Sequence, residues 1–105
     1  MAFIPRHNIT VDTAQTLVAE GDRAGVIKSI NISNTHSSTS NKVDLWILNC
    51  GKKYYIMKNV EIPAGVSLIV DTRDITINTN VNGGDNLRIK LDNTTAGIDV
   101  IINKW

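Results

Sequence analysis

Leu87-Arg88-Ile89-Lys90-Leu91, then Asp92-Asn93-Thr94-Thr95-Ala96-Gly97, then Ile98-Asp99-Val100-Ile101-Ile102 is the stretch whose reading decides the fold. Side chains along a strand point alternately to two faces, so Leu87, Ile89 and Leu91 share one face and leave Arg88 and Lys90 on the other. Ile98, Val100 and Ile102 repeat the pattern. The Asn, Asp, Thr and Gly between them supply side-chain-to-backbone bonds and positive φ, which reverse a chain. The stretch reads as a β-hairpin, and the rest of the chain is written in the same style.

Upstream, Asn82-Gly83-Gly84-Asp85 leads into this pair as a turn. It resembles a glycine-rich phosphate loop only superficially, because no helix follows to receive an anion. Ile75-Thr76-Ile77 reads as a short strand, and Val66, Leu68 and Val70 as another, with Ile69 on the opposite face. Pro63-Ala64-Gly65 has the residues of a type II turn, proline presetting φ and glycine taking the positive-φ position. Val43, Leu45 and Ile47 alternate with Asp44, Trp46 and Leu48, so both faces of that strand are partly apolar. Asn49-Cys50-Gly51-Lys52 then turns the chain into Tyr54-Tyr55-Ile56-Met57. Ile30 and Ile32 alternate with Asn31 and Ser33. Lys28 falls on their apolar side, so it either snorkels at the rim or a bulge intervenes. Ile9-Thr10-Val11 and Gln15-Thr16-Leu17-Val18 supply a first strand or two. Asn34 to Asn41, small or polar throughout, reads as an exposed loop.

Short strands with turn signals every ~8–12 residues point to an antiparallel sandwich or barrel. The expectation is an all-β chain: a single antiparallel β-sandwich, jelly-roll-like, of about eight short strands. Residues 1–7 are read as an extended N-terminal arm, apolar at Phe3 and Ile4 and stiffened by Pro5, and residues 8–105 as the sandwich domain.

With 105 residues the chain is one domain with a modest core, for which a partner surface is a natural supplement. The formal charge of +1 comes from interleaved acids and bases, without the basic face that phosphate binding demands, so no nucleic-acid partner is expected. Lys52-Lys53 reads as a solvated edge. The single cysteine, Cys50, forbids an internal disulfide and is read as a buried, unreactive thiol at a strand end. No apolar run reaches the ~18 residues of a membrane span, and no signal peptide is recognised.

His7 and His36 lack carboxylates or thiols at ligand spacing, and no nucleophile elbow is present. Asp71-Thr72-Arg73-Asp74 is the best carboxylate pair for a hard cation, with Arg73 the simpler neutraliser. Three Asn-X-Ser/Thr sequons, at Asn8, Asn31 and Asn93, follow from composition. Catalytic residues, cofactors and metals are therefore all expected to be none. The aromatics remain. Trp46 with a neighbouring tyrosine has three readings: a protein interface, a sugar-binding platform, or a second hydrophobic layer inside the molecule.

One longer pattern carries a resemblance. Val26 to Asn34, a polar loop, and Val43-Asp44-Leu45-Trp46-Ile47 are followed by Tyr54 to Leu68, which runs into Ile62-Pro63-Ala64-Gly65-Val66-Ser67-Leu68. Then come Gly84-Asp85-Asn86-Leu87-Arg88-Ile89-Lys90 and Ile98 to Ile102. Together, over roughly residues 24–102, these resemble the β-sandwich of small tailed-phage virion proteins. The resemblance implies a virion structural protein, made in the host cytoplasm. A head decoration or cement protein is the first expectation, and a neck or tail component the next. It implies contact with the major capsid protein or another virion protein, and a homo-oligomer, with a trimer suiting local three-fold positions. Phe3, Ile4 and Pro5 are the first candidates for partner contact, with Trp46, Tyr55 and Trp105 next. The alternative is a carbohydrate-binding module or tail-associated receptor-binding domain, with Asp44 and Asn49 as polar neighbours of the ring.

Overall fold

The computed structural model describes residues 3–104. They form eight strands: β1 (Arg6–Ile9), β2 (Gln15–Val18), β3 (Ile27–Asn34), β4 (Asn41–Asn49), β5 (Lys52–Ile62), β6 (Ser67–Asp71), β7 (Asn86–Leu91) and β8 (Ile98–Lys104). These build two four-stranded sheets, in the orders β1-β8-β3-β6 and β2-β7-β4-β5. The pairs β1·β8, β2·β7, β3·β6 and β4·β5 are all antiparallel, nested one inside the next around the β4–β5 turn. This is the jelly-roll order: one long two-stranded ribbon rolled so that its halves face each other.

The alternation seen in the sequence fills the space between the sheets. Ile30, Ile32, Ile98, Val100 and Ile102 from one sheet meet Val43, Leu45, Ile47, Leu87, Ile89 and Leu91 from the other. β-Branched side chains dominate because they pack well on a pleated surface.

Several expectations change. Leu87–Leu91 and Ile98–Ile102 are strands, but they are not a hairpin: β7 and β8 lie in opposite sheets, and Asp92–Gly97 arches across the sandwich. Both strands must present an apolar face inward, and a link of this length bridges sheets about 10 Å apart as readily as it closes a hairpin. Ile75–Ile77 is not a strand. Thr72 Oγ1 bonds to Ile27 O at 2.9 Å and Ile75 N to Thr72 O at 3.1 Å, so the chain leaves β3 there and drops Ile77 into the core. Strand β1 starts at Arg6, which makes the last two residues of the expected arm part of the sheet. The β3–β8 register shifts between Ile27 and Ser29, so a bulge is what turns Lys28 outward.

The polar loop is shorter than expected and tied at both ends. Asn34 and Asn41 are each 1% exposed. Asn34 Nδ2 donates to Thr39 O and Ile62 O, both at 2.9 Å, and His36 Nδ1 accepts from the backbone N–H of Ser38 and Thr39. In the 63–66 turn Gly65 does hold positive φ (76°), but the closing bond from Val66 N to Pro63 O puts proline at the first position rather than the second. Cys50 is exposed, not buried, because it sits at the tip of the β4–β5 turn.

Candidate functional site

Strand register fixes two outer faces. On the β2-β7-β4-β5 sheet, Thr16, Arg88, Trp46 and Tyr55 lie in one row. Beside it, Lys90 is opposite Asp44. Strand β5 carries two register shifts against β4, near Leu45, and Asn59 takes positive φ (52°) at that irregular stretch. Asp44 holds it in place: Oδ1 accepts from Asn59 N at 2.7 Å and Oδ2 from Lys58 Nζ at 3.4 Å. Partial desolvation lowers the Lys58 pKa, but the Asp44 carboxylate and the Tyr55 phenol together outweigh it and raise the ammonium above its ordinary range.

Trp46 does face outward as alternation requires, yet it is only 1% exposed. The Tyr55 ring leans on it at 5.8 Å and 52°, and Lys53 Nζ sits 4.8 Å from its centre. Long lysine stems cover apolar rings while the ammonium keeps its attraction to the π face. The Trp46 ring is therefore the floor of the patch, and Tyr55, 44% exposed, is its surface. Lys58 Nζ lies 4.7 Å over Tyr55, and Lys52 Nζ 5.5 Å over Tyr54. Each of these three rings therefore has an ammonium on one face.

Beneath this cover two donors are unsatisfied. The Trp46 indole N–H and Arg88 Nε are buried with no hydrogen-bond partner, although Arg88 reaches Ala14 O through its terminal nitrogen at 3.3 Å.

The outer face of the β1-β8-β3-β6 sheet is different in kind. Its central row reads Arg6, Ile101, Asn31, Ile69, and the next reads Asn8, Asp99, Ser33, Ser67. Short polar side chains bond to one another across the strands: Asn8 to Asp99 at 2.7 Å, Ser33 to Ser67 at 2.8 Å, and Asn103 to Ser29 at 3.1 Å. Ile69 and Ile101 stand out of this lace, 64% and 42% exposed.

The arm lies along its own sheet. Phe3 packs against the core under Lys104 Nζ, 5.4 Å from its ring, and Pro5 O accepts from Ile102 N at 2.7 Å. Ile4, 58% exposed, is its outward residue. Trp105 lies outside the described residues. Sequence reasoning brought Trp46 and Tyr55 together correctly. It missed Arg88 and the lysines around them, whose common face depends on partners distant in the chain. Asp71, weighed as a cation ligand, is engaged by Arg73 through Nε at 3.0 and 3.1 Å. That hydrogen bonding holds its carboxyl down at about 2. Among the described residues no three His, Cys, Asp or Glu side chains group as metal ligands.

No family model matches the chain, and neither a curated protein nor a solved structure matches it.

Proposed function

We propose that this chain is a non-enzymatic virion structural protein, a capsid decoration or cement protein that binds an assembled shell through the major capsid protein or another virion protein. The observation that carries the reading is the jelly-roll order of the sheets, an architecture used by viral capsid domains. The phage-like run from Val26 to Ile102 supports it. The laced outer face of β1-β8-β3-β6 supplies a surface suited to packing, with Ile69 and Ile101 as apolar anchors and Ile4 exposed on the neighbouring arm. A symmetric trimer would engage several shell subunits at once, each contact raising the effective concentration for the next.

The test is cosedimentation of the purified chain with assembled phage heads from the source of its gene. Saturable binding at a fixed ratio to shell subunits, weakened when Ile69 and Ile101 are changed to Asp, is the expected result. Absence of binding at micromolar concentration to heads, necks and tails alike sinks the reading. Light scattering of the free chain is expected to give a trimer.

A sugar platform needs an open ring face. Trp46 is covered, and Tyr54 and Tyr55 each carry a lysine, so glycans are expected to leave tryptophan fluorescence unquenched.

A further inference from the structure

The formal charge of +1 conceals a strong asymmetry. Strands β2, β7, β4 and β5 carry six of the eleven basic residues (Lys42, Lys52, Lys53, Lys58, Arg88 and Lys90) and two of the ten acids (Asp44 and Glu61). That sheet is therefore +4, leaving −3 on the rest of the chain. Its inner face is core, so the charge lies on its outer face and at the β4–β5 tip. This reverses the reading of interleaved, faceless charge.

A second observation lies within the same face. The Trp46 indole N–H and Arg88 Nε belong to directly opposed residues of β4 and β7. Opposed side chains stand about 5 Å apart at Cβ. Both groups are donors that can never accept, so they cannot satisfy each other, and both are buried without a partner. Trp46 is 99% enclosed, since 1% of it is exposed. Buried donors in native proteins are almost always paired, and no acceptor among the described residues serves these two.

We infer that the outer face of the β2-β7-β4-β5 sheet docks an acidic protein segment, with one of its carboxylates seated between the Trp46 indole N–H and Arg88 Nε. A carboxylate suits the place chemically: it only accepts, it matches arginine in strength and shape, and charge assistance roughly doubles the bond. Lys53 and Tyr55, both exposed, cover the Trp46 ring, and the incoming carboxylate reaches the donors as these two side chains swing aside. Nucleobases find poor purchase, because an ammonium already sits over Trp46, Tyr54 and Tyr55. The surrounding lysines orient the segment and speed its arrival. This inference is independent of the shell reading and uses the opposite face of the sandwich.

The experiment follows the indole N–H resonances of the ¹⁵N-labelled full chain, assigned with Trp105→Phe, during titration with decaglutamate and, separately, with a thymidine decanucleotide. The expected result is a saturable shift of the Trp46 indole resonance by decaglutamate alone. Lys53→Glu with Lys90→Glu should weaken binding by about tenfold or more, while the charge-matched control Arg6→Glu with Arg23→Glu should not. All four positions are exposed, so thermal midpoints report that the variants remain folded. Decaglutamate binding that leaves the Trp46 resonance unmoved overturns the seat, leaving only diffuse attraction. Tighter binding of the oligonucleotide overturns the choice of partner, and no binding of either overturns the inference whole. The wild-type titration alone decides among these should the double variant misfold.

Discussion

Asn41 uses every bonding position of its side-chain amide on one arch. Nδ2 donates to Asn93 O at 3.1 Å and Ala96 O at 2.7 Å, and Oδ1 accepts from the N–H groups of Asp92 and Asn93 at 3.1 and 3.3 Å. Replacing it with Leu strands three of these backbone groups in a largely buried place, since Asp92 N also donates to Lys42 O at 3.0 Å. We expect a loss of about 3 kcal/mol in urea denaturation, well above the cost of a surface substitution. In the sequence this residue read as loop, because its partners lie some fifty positions away and nothing local marks an amide that will be buried. Asp71 is the contrasting case, legible because its partner Arg73 is adjacent. Its folded-state carboxyl is held at about 2 by Arg73 hydrogen bonding. Depression of the folded value means that any stabilisation is present above the unfolded value near 4 and disappears as pH falls toward 2. Carboxyl-carbon NMR titration should place the Asp71 midpoint near the low value, and Arg73→Gln should return it toward about 4. The pair is exposed, so the midpoint will move far more than the melting temperature.

At the scale of elements, strands were legible and their partners only partly so. The β4–β5 hairpin was readable because its instructions are local. Cys50 and Gly51 both take positive φ, 51° and 75°, the signature of a type I′ turn whose right-handed twist suits two strands. Cysteine tolerates that region poorly, whereas asparagine visits it readily. Cys50→Asn is therefore expected to stabilise the protein by about 0.5–1 kcal/mol in the same urea experiment, and to remove the free thiol without other effect. The supposed β7–β8 hairpin failed for a physical reason. Alternation states which face of a strand is apolar, and in a sandwich every strand has such a face, whichever sheet it joins. A turn-rich link serves a reversal or an arch equally. Gly84, in the run before β7, shows what local chemistry does encode: a Cβ there would meet Asn78 O at 2.5 Å, so only glycine fits the loop that delivers Asp85 to its bonds with Asn49 and Asn78.

The whole molecule is a set of nested pairings, the outermost joining Arg6 to Ile101. Such long-range closures cost chain entropy before contacts reward them, so refolding is expected in the millisecond-to-second range typical of all-β domains, as stopped-flow tryptophan fluorescence will report. Architecture was recoverable from the sequence because strand number and spacing constrain it. Charge topography was not, since it depends on which strands become neighbours. The same nesting leaves an unprotected place. Strands β1 and β8 run antiparallel, with Arg6 opposite Ile101 and Phe3 beside Lys104, so the described residues begin and end at the same end of one strand pair. Tension applied between those ends does not shear all the rungs of the pair together; it opens them one after another, like a zip. A domain that melts as one cooperative unit will thus yield to a modest pull applied at Phe3 and Lys104. Any tether meant to bear load should be attached across the sheets instead.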